Sequence, residues 1–296
     1  MTFALPCGIK DAFPPRDRAM HKYCAGTVTV VGGSARYAHA PVIAGLGARA
    51  AGAGLVQLAV PDASRIAAAA VVPEATFMKL SATCTPPAAD VAVAGMGLGT
   101  TAAAEAVVSR LLTGSFARLV LDADALNILA KRGSAKKGAG EAAAGRTLVI
   151  TPHAGEAARL LGCSPAEIQS DRKSSATRLA EMYGAVVVLK GEGTIVARPD
   201  SDETWTCSAG NPFMALGGMG DLLAGMLGAR WARLARLHGE RSDCDPVSDA
   251  ALAAKAAVWL HAAAADRLVG QTPPGEPCVV NVASAAASLR IECERS

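Results

Sequence analysis

From residue 27 onwards, short β-branched and aliphatic runs alternate with alanine-rich stretches of helical spacing. A chain patterned this way pairs its strands through helical crossovers, which gives a mostly parallel sheet with helices on both faces. Strands are expected at Thr27–Val31, Leu55–Val60, Asp90–Ala94, Arg118–Leu121, Leu148–Ile150 and Ala185–Leu189. Thr194–Ala197 and Glu203–Cys207 read as a small antiparallel pair. Helices are expected over Pro41–Ala53, Ala63–Ala70, Thr101–Leu112, from the Thr151–Glu156 turn to Leu161, around Arg172–Tyr183, and near Gly217–Arg230, Ser248–Leu268 and Val280–Leu289. The fold class is therefore a doubly wound α/β sheet. The Gly-, Ala- and Lys-rich stretch Lys131–Gly145 reads as an exposed helix end and loop, too short to divide two domains. One domain over 1–296 is expected, with residues 1–20 as an N-terminal extension.

Glycine or polar clusters follow one expected strand after another, at Gly32, Gly95, Asp122, Thr151, Lys190 and Gly210. In open α/β sheets ligands bind outside the carboxyl ends of the strands, so these tips should line one cleft. The aromatic content of 4% argues against a ring-lined surface for carbohydrate or single-stranded nucleic acid. The formal net charge is +3 and no basic run exceeds Lys136-Lys137, which argues against nucleic acid as a partner. No charge-free apolar stretch of membrane-spanning length occurs outside Ala/Gly-rich helices, and the N-terminus has no uninterrupted apolar region. The eight cysteines include no Cys-x-x-Cys pair and read as reduced thiols of a soluble, cytoplasmic protein.

Asn211-Pro212-Phe213-Met214-Ala215-Leu216-Gly217-Gly218-Met219-Gly220-Asp221 runs directly into the apolar helix that begins Leu222-Leu223-Ala224. Glycines at a helix entry leave backbone N–H groups free at the positive end of the helix, where an anion can approach closely. A carboxylate in the same place can take a proton from a hydroxyl that attacks phosphorus. The simpler alternative is a glycine turn in which Asp221 only caps the helix.

Other strand tips offer supporting chemistry. Val30-Val31-Gly32-Gly33-Ser34 lacks G-x-G-x-x-G and a ribose-binding acid, so it reads as a flexible loop whose Ser34, Arg36 and Tyr37 can meet a polar substrate. Asp124 suits a helix cap, and Asp122 either a cap or a functional acid that reaches Mg²⁺ through water. No His, Cys or Asp spacing suggests zinc. His153, followed by Ala-Gly-Glu at a helix entry, is expected to expose its ring to the cleft for ligand contact; the alternative is a structural histidine. Lys190, at the tip of Val186-Val187-Val188-Leu189 and followed by Gly191 and Gly193, suits a turn or ammonium beside a nucleotide; the alternative is a surface lysine.

With these residues placed, the chain resembles the NAD(P)H-hydrate dehydratases, a carbohydrate-kinase-like family of the ribokinase-like superfamily. The resemblance runs from His21-Lys22 to the C-terminal helices. It rests on Val-Val-Gly-Gly-Ser with Ala40 and Ala44-Gly45-Leu46-Gly47-Ala48, Pro73-Glu74-Ala75, Gly95-x-Gly97-Leu98-Gly99, Leu121-Asp122-Ala123-Asp124-Ala125-Leu126, Thr151-Pro152-His153-x-Gly155-Glu156, Leu189-Lys190-Gly191, and Gly210-Asn211-Pro212 leading to Gly217-Gly218-x-Gly220-Asp221. The final element marks the wider superfamily, whereas Pro-His-x-Gly-Glu points to the dehydratases. The resemblance implies Asp221 as base on the hydrate hydroxyl, with Gly218, Met219 and Gly220 as anion hole. It implies Lys190, Gly191, Glu192, Gly193, Thr194 and Gly220 as contacts of the adenine nucleotide, and Ala40, Gly97, His153 and Asp221 as contacts of the hydrated NAD(P)H. The reaction implied is phosphoryl transfer from ADP or ATP, with Mg²⁺, to the hydroxyl of the hydrated ring, followed by loss of phosphate. A homo-oligomer is expected as well, a tetramer being one option, and a separate epimerase is another expected partner. Departures from the family's usual residues are His39 for Gly, Met96 and Ala154 for Pro, Phe213 for a small residue, and Leu216 and Met219 for Thr. Met219 is expected to tune phosphate binding without abolishing it, because its backbone N–H is kept.

Two other functions fit part of this pattern. A vitamin-precursor or sugar kinase of the same fold would keep the base and release a stable phosphate ester, but Asn would be expected where Pro152-His153 precedes Glu156. A nucleotide-binding regulator without catalysis would be expected to have lost Asp221, which is present.

Overall fold

The computed structural model describes residues 5–131, 145–239, 245–271 and 273–295. Its nine strands form one sheet: β1 (Thr27–Val31), β2 (Leu55–Val60), β3 (Thr76–Lys79), β4 (Val91–Ala94), β5 (Arg118–Leu121), β6 (Thr147–Ile150), β7 (Val186–Leu189), β8 (Ile195–Arg198) and β9 (Ser201–Thr206). The order is β3-β2-β1-β4-β5-β6-β7-β8-β9. The pairs from β3 through β7 are parallel, and β7–β8 and β8–β9 are antiparallel. β1, β4 and β7 are buried along their whole lengths, the pattern of strands covered on both faces.

The crossovers and closing elements are helices α1 (Ala40–Ala50), α2 (Asp62–Val71), α3 (Ala102–Thr113), α4 (Asp124–Lys131), α5 (Ala154–Leu161), α6 (Pro165–Ser170), α7 (Arg172–Tyr183), α8 (Met219–His238), α9 (Pro246–Val269) and α10 (Val279–Cys293). Two apolar clusters fill the space on either side of the sheet. One joins α1, α8, α9 and α10 to strand residues such as Val28, Val30 and Val93. The other joins α3 to α7 with Val31, Ala94, Leu121 and Ile150. Alternation along β1, with Val30 in one cluster and Val31 in the other, shows the pleat dividing the core.

Thr101 caps α3 by accepting from the Ala104 N–H, and Asp245 caps α9 by accepting from the Val247 and Ser248 N–H groups. α8 lies against α1 with almost no intervening side chain. A Cβ on Gly225 would overlap the carbonyl oxygen of Ala44, and one on Gly47 would overlap that of Leu222. The Ala44–Ala48 motif is thus half of a close helix crossing that fixes the position of α8. Within the segment read as an N-terminal extension, Ile9, Ala12 and Phe13 are buried in the core. Most of Lys131–Gly145 lies outside the described residues.

Candidate active site

The carboxyl ends of β5, β6 and β7 and the start of α8 bring four charged side chains together. Asp122 follows β5 and is buried. Ala123 after it has φ of +50°, a left-handed backbone for a residue with a Cβ. Such strain persists where the surroundings over-determine it. Here it separates the two acids: Asp122 meets Lys190, while Asp124 Oδ2 accepts from the Gly99 N–H at 2.8 Å. Asp124, expected as a helix cap, therefore anchors the Gly95–Gly99 loop.

Lys190 follows β7. Its backbone N–H donates to the Pro152 carbonyl at 2.8 Å, which ties it to the His153 turn. Its ammonium turns inward, 17% exposed, and donates to Asp122 Oδ1 at 2.6 Å, with Glu156 Oε2 at 3.9 Å. Burial works against that charge, but Asp122 and Glu156 outweigh it and raise the lysine pKa above its ordinary value. The buried Glu156 carboxyl has a raised pKa, chiefly from desolvation, with Lys190 opposing.

His153 caps α5 in a reciprocal box. Its Nδ1 accepts from the N–H groups of Gly155 at 3.0 Å and Glu156 at 3.3 Å, while its own N–H donates to Glu156 Oε2 at 2.9 Å. The ring lies over the helix start because Gly155 has no side chain; a Cβ there would sit 2.9 Å from the imidazole. As expected, the ring is open to solvent, with 55% of the side chain exposed.

Asp221 lies in the first turn of α8. Gly218, with φ of +93°, starts this helix, and no side chain caps it. The initial N–H groups of an α-helix have no partner within the helix, so this end can receive an anion. Gly220 brings the helix against the acid cluster: a Cβ there would lie 3.3 Å from Lys190 Nζ and 3.8 Å from Asp122 Oδ2. Desolvation, then the charge of Asp122, raises the Asp221 pKa from 3.8 to about 7, with Lys190 acting in the opposite direction. A carboxylate so tuned can accept a proton near neutral pH. The Met219 side chain is buried in the core.

The remaining predicted residues form two groups. Ala40 and Gly97 adjoin each other and Tyr37: a Cβ on Gly97 would lie 2.6 Å from Tyr37 Cβ and 3.1 Å from Ala40 Cβ. The Lys190–Thr194 turn is braced by Thr194, whose hydroxyl donates to the Gly191 carbonyl at 2.9 Å. Arg172 also clamps it, donating to the carbonyls of Glu192 and, at 3.1 Å, Leu189. Asp266 on α9 accepts from the Gly210 N–H and Asn211 Nδ2, both at 2.8 Å, and so holds the turn before the glycine loop. Arg172 and Asp266 escaped the sequence reading because each lies in an ordinary helical pattern. The partnership of Glu156 with His153 was legible in the His-x-x-Glu spacing at a helix entry.

Asp122 was read as either a helix cap or an acid that reaches Mg²⁺ through water; its Oδ1 pairs with Lys190 at 2.6 Å. Among the described residues, no group of three or more His, Cys, Asp or Glu is gathered to hold a metal.

A sheet of this order, with a carboxylate in an uncapped glycine-rich helix start at the carboxyl ends of its strands, belongs to a ribokinase-like fold, as the structural comparisons show. The fold is shared with a ribokinase-like superfamily protein of Enterococcus faecalis, at TM-score 0.75 and 22% identity over 96% of this chain and 94% of that one. The chain belongs to the NAD(P)H-hydrate dehydratase family, whose model matches residues 28–278, and it is thereby assigned to the lyases. It is 38% identical over 256 residues to an ADP-dependent (S)-NAD(P)H-hydrate dehydratase of Neisseria meningitidis, covering 86% of this chain and 81% of the relative. A bifunctional NAD(P)H-hydrate repair enzyme of Coxiella burnetii is 37% identical over 264 residues; the match covers 88% of this chain and only 49% of that longer protein. An ADP/ATP-dependent NAD(P)H-hydrate dehydratase of Bacillus subtilis, co-crystallised with ATP and Mg²⁺, superposes with TM-score 0.77 at 29% identity over 96% of this chain and 95% of that chain.

Proposed function

We propose that this chain restores the S form of hydrated NADH or NADPH, using ADP or ATP as phosphoryl donor, with Asp221 as the base. The observation that carries the proposal is the partly buried Asp221 carboxylate, raised to about 7, at an uncapped helix start. The proton of the hydrate hydroxyl passes to Asp221 as its oxygen forms a bond to the terminal phosphorus. The bond from that phosphorus to its bridging oxygen breaks, releasing AMP from ADP or ADP from ATP. The N–H groups at Gly218, Met219 and Gly220 are assigned to the charge that develops on the transferring phosphoryl group; that of Met219 makes a long 3.4 Å bond to the Leu216 carbonyl, which an anion can displace.

Phosphate is a far better leaving group than hydroxide. In the second step the C–O bond breaks with its electrons going to phosphate, while the ring nitrogen donates its lone pair. Loss of a proton from the neighbouring carbon then restores the ring double bond, with no change in oxidation state. The Lys190–Thr194 turn and Gly220 are assigned to the adenine nucleotide, and Ala40, Gly97 and His153 to the hydrated dinucleotide. Mg²⁺ commonly binds through substrate phosphates with few protein ligands, which suits a site whose acids are already paired.

The same reading includes a cytoplasmic location, where the free thiols of the described cysteines would stay reduced. It includes a homo-oligomer and a separate epimerase. Among the described residues no helix is long and apolar enough to cross a membrane.

Replacing Asp221 by Asn tests the assignment. Asp221→Asn should retain its melting temperature and nucleotide binding while turnover falls by roughly 10²–10⁴, the range for loss of a positioned base. A folded variant with near-normal turnover would reduce Asp221 to a helix-start residue.

A further inference from the structure

We propose that Lys190 is a positioning residue, whose ammonium is the fixed cation that holds Asp122 and Glu156 beneath Asp221 and keeps Asp221 available as a base. The inference rests on the reading of Asp221 as base, and it gives the lysine side chain a task apart from the nucleotide contact assigned to its turn. Three observations support it. The ammonium points into the protein, 2.6 Å from the nearly inaccessible Asp122 carboxylate, and not out along the turn. Gly220, one residue before Asp221, is so close that a Cβ there would lie 3.3 Å from Lys190 Nζ. The third is that the cation stands among the carboxylates of Asp122 after β5, Glu156 on α5 and Asp221 on α8.

The charged groups around Asp221 act with opposite signs. Asp122 after β5, Glu156 on α5 and Asp124 on α4 disfavour a second negative charge, whereas Lys190 favours it. Beyond this ring, His153 lies 3.4 Å from Glu156 Oε1. Buried His261 on α9 has its pKa lowered to about 4, first by desolvation and then by the charge of Lys190. His261 is therefore neutral at physiological pH and adds no charge there; among the groups named around Asp221, Lys190 is the one that favours its ionised form.

The test is a titration with two variants of opposite expected sign. In protein carrying ¹³C-labelled aspartate carboxyl groups, the Asp221 signal, identified by its absence from Asp221→Asn, should titrate near pH 7. The acid limb of the kcat/KM profile, which reports the free enzyme, should have the same midpoint. Lys190→Gln should move both to higher pH by about one unit or more, where one unit is a tenfold change in proton affinity. Asp122→Asn should move both to lower pH. Lys190→Arg, which keeps the charge, should stay closer to the parent than Lys190→Gln does.

An Asp221 titration that stays in place in Lys190→Gln would overturn the proposal. So would a variant whose only defect is a raised KM for the nucleotide, since the ammonium would then serve the nucleotide. If Lys190→Gln does not fold, Asp122→Asn decides: a downward shift supports the charge network, and an unchanged or upward midpoint refutes it. Because the carboxyl signal is read without turnover, an absence of dehydratase activity would remove the proposed reaction while leaving the charge network separately tested.

Discussion

At the residue scale, His153 combines a structural and a proposed functional role that sequence alone could not separate. Its Nδ1 closes the start of α5, its Nε2 lies 3.4 Å from Glu156 Oε1, and over half of the side chain is exposed. His153→Ala should raise the KM for the hydrate more than the KM for the nucleotide, and should also cost about 1 kcal/mol through loss of the cap. His153→Asn, which can cap the helix without a ring, should recover the melting temperature but not the KM. Equal recovery of both in the Asn variant would make the cap the whole of the residue's contribution. Asp221, Gly220, Lys190 and Asp122 were each visible in the sequence as strand-tip or helix-entry residues. Their joining into one charge cluster was not, because residues 122, 156, 190 and 221 meet only when the strands are set in order. The inward direction of the Lys190 side chain was equally hidden, since a lysine between a buried strand and a glycine turn can face either way.

At the element scale, the periodicity located β1, β2, β5 and α7 at the residues where they occur, because each is an unbroken run between clear turns. The ends of α8 and α10 were set too early: α8 continues to His238 and α10 to Cys293, past residues whose polarity masks a buried face. α6 was missed although Ser164-Pro165-Ala166-Glu167 carries a complete capping box with Pro in the first turn; its six residues are too few for helical periodicity to register. β3 was missed because it is a short, largely exposed edge strand without alternating burial. The crossing of α1 and α8 explains why glycines recur on both helices and makes a direct prediction. Gly225→Ala places a methyl group against the backbone of Ala44, where no side chain can move aside. It should destabilise the protein by about 1–3 kcal/mol, the usual cost of overpacking, and lower turnover by shifting the helix that carries Asp221. Melting temperature and kcat measured together check this, and a variant unchanged in both would contradict so close a crossing.

At the scale of the whole molecule, both ends of the described chain are fastened to the rear of α1 and α8. Arg230 is fully buried and donates to the carbonyls of Ala12 and, at 3.1 Å, Ala51, and its guanidinium lies 4.6 Å from the Phe13 ring centroid. Glu294 receives Arg230 at 2.9 Å, Arg290 at 2.5 Å and Arg16 at 3.1 Å. Buried charges of this kind need partners more than they add stability, so the cluster is read as fixing how the two ends pack against α8. Nothing local in the sequence foretold it, since its members are spread from residue 12 to residue 294. The charge pattern nonetheless leaves the opposite, strand-tip side of the sheet for the acid cluster and the glycine loop, where the proposed chemistry takes place. The most direct measurement is to incubate the purified protein with the S form of hydrated NADPH or NADH, with and without ADP or ATP and Mg²⁺, while following the near-ultraviolet absorbance of the reduced ring and released phosphate. Absorbance should return only when nucleotide is present, with one phosphate released and one AMP or ADP formed for each ring restored. No return of absorbance with either nucleotide, or nucleotide consumption that yields a stable phosphorylated product, would contradict it.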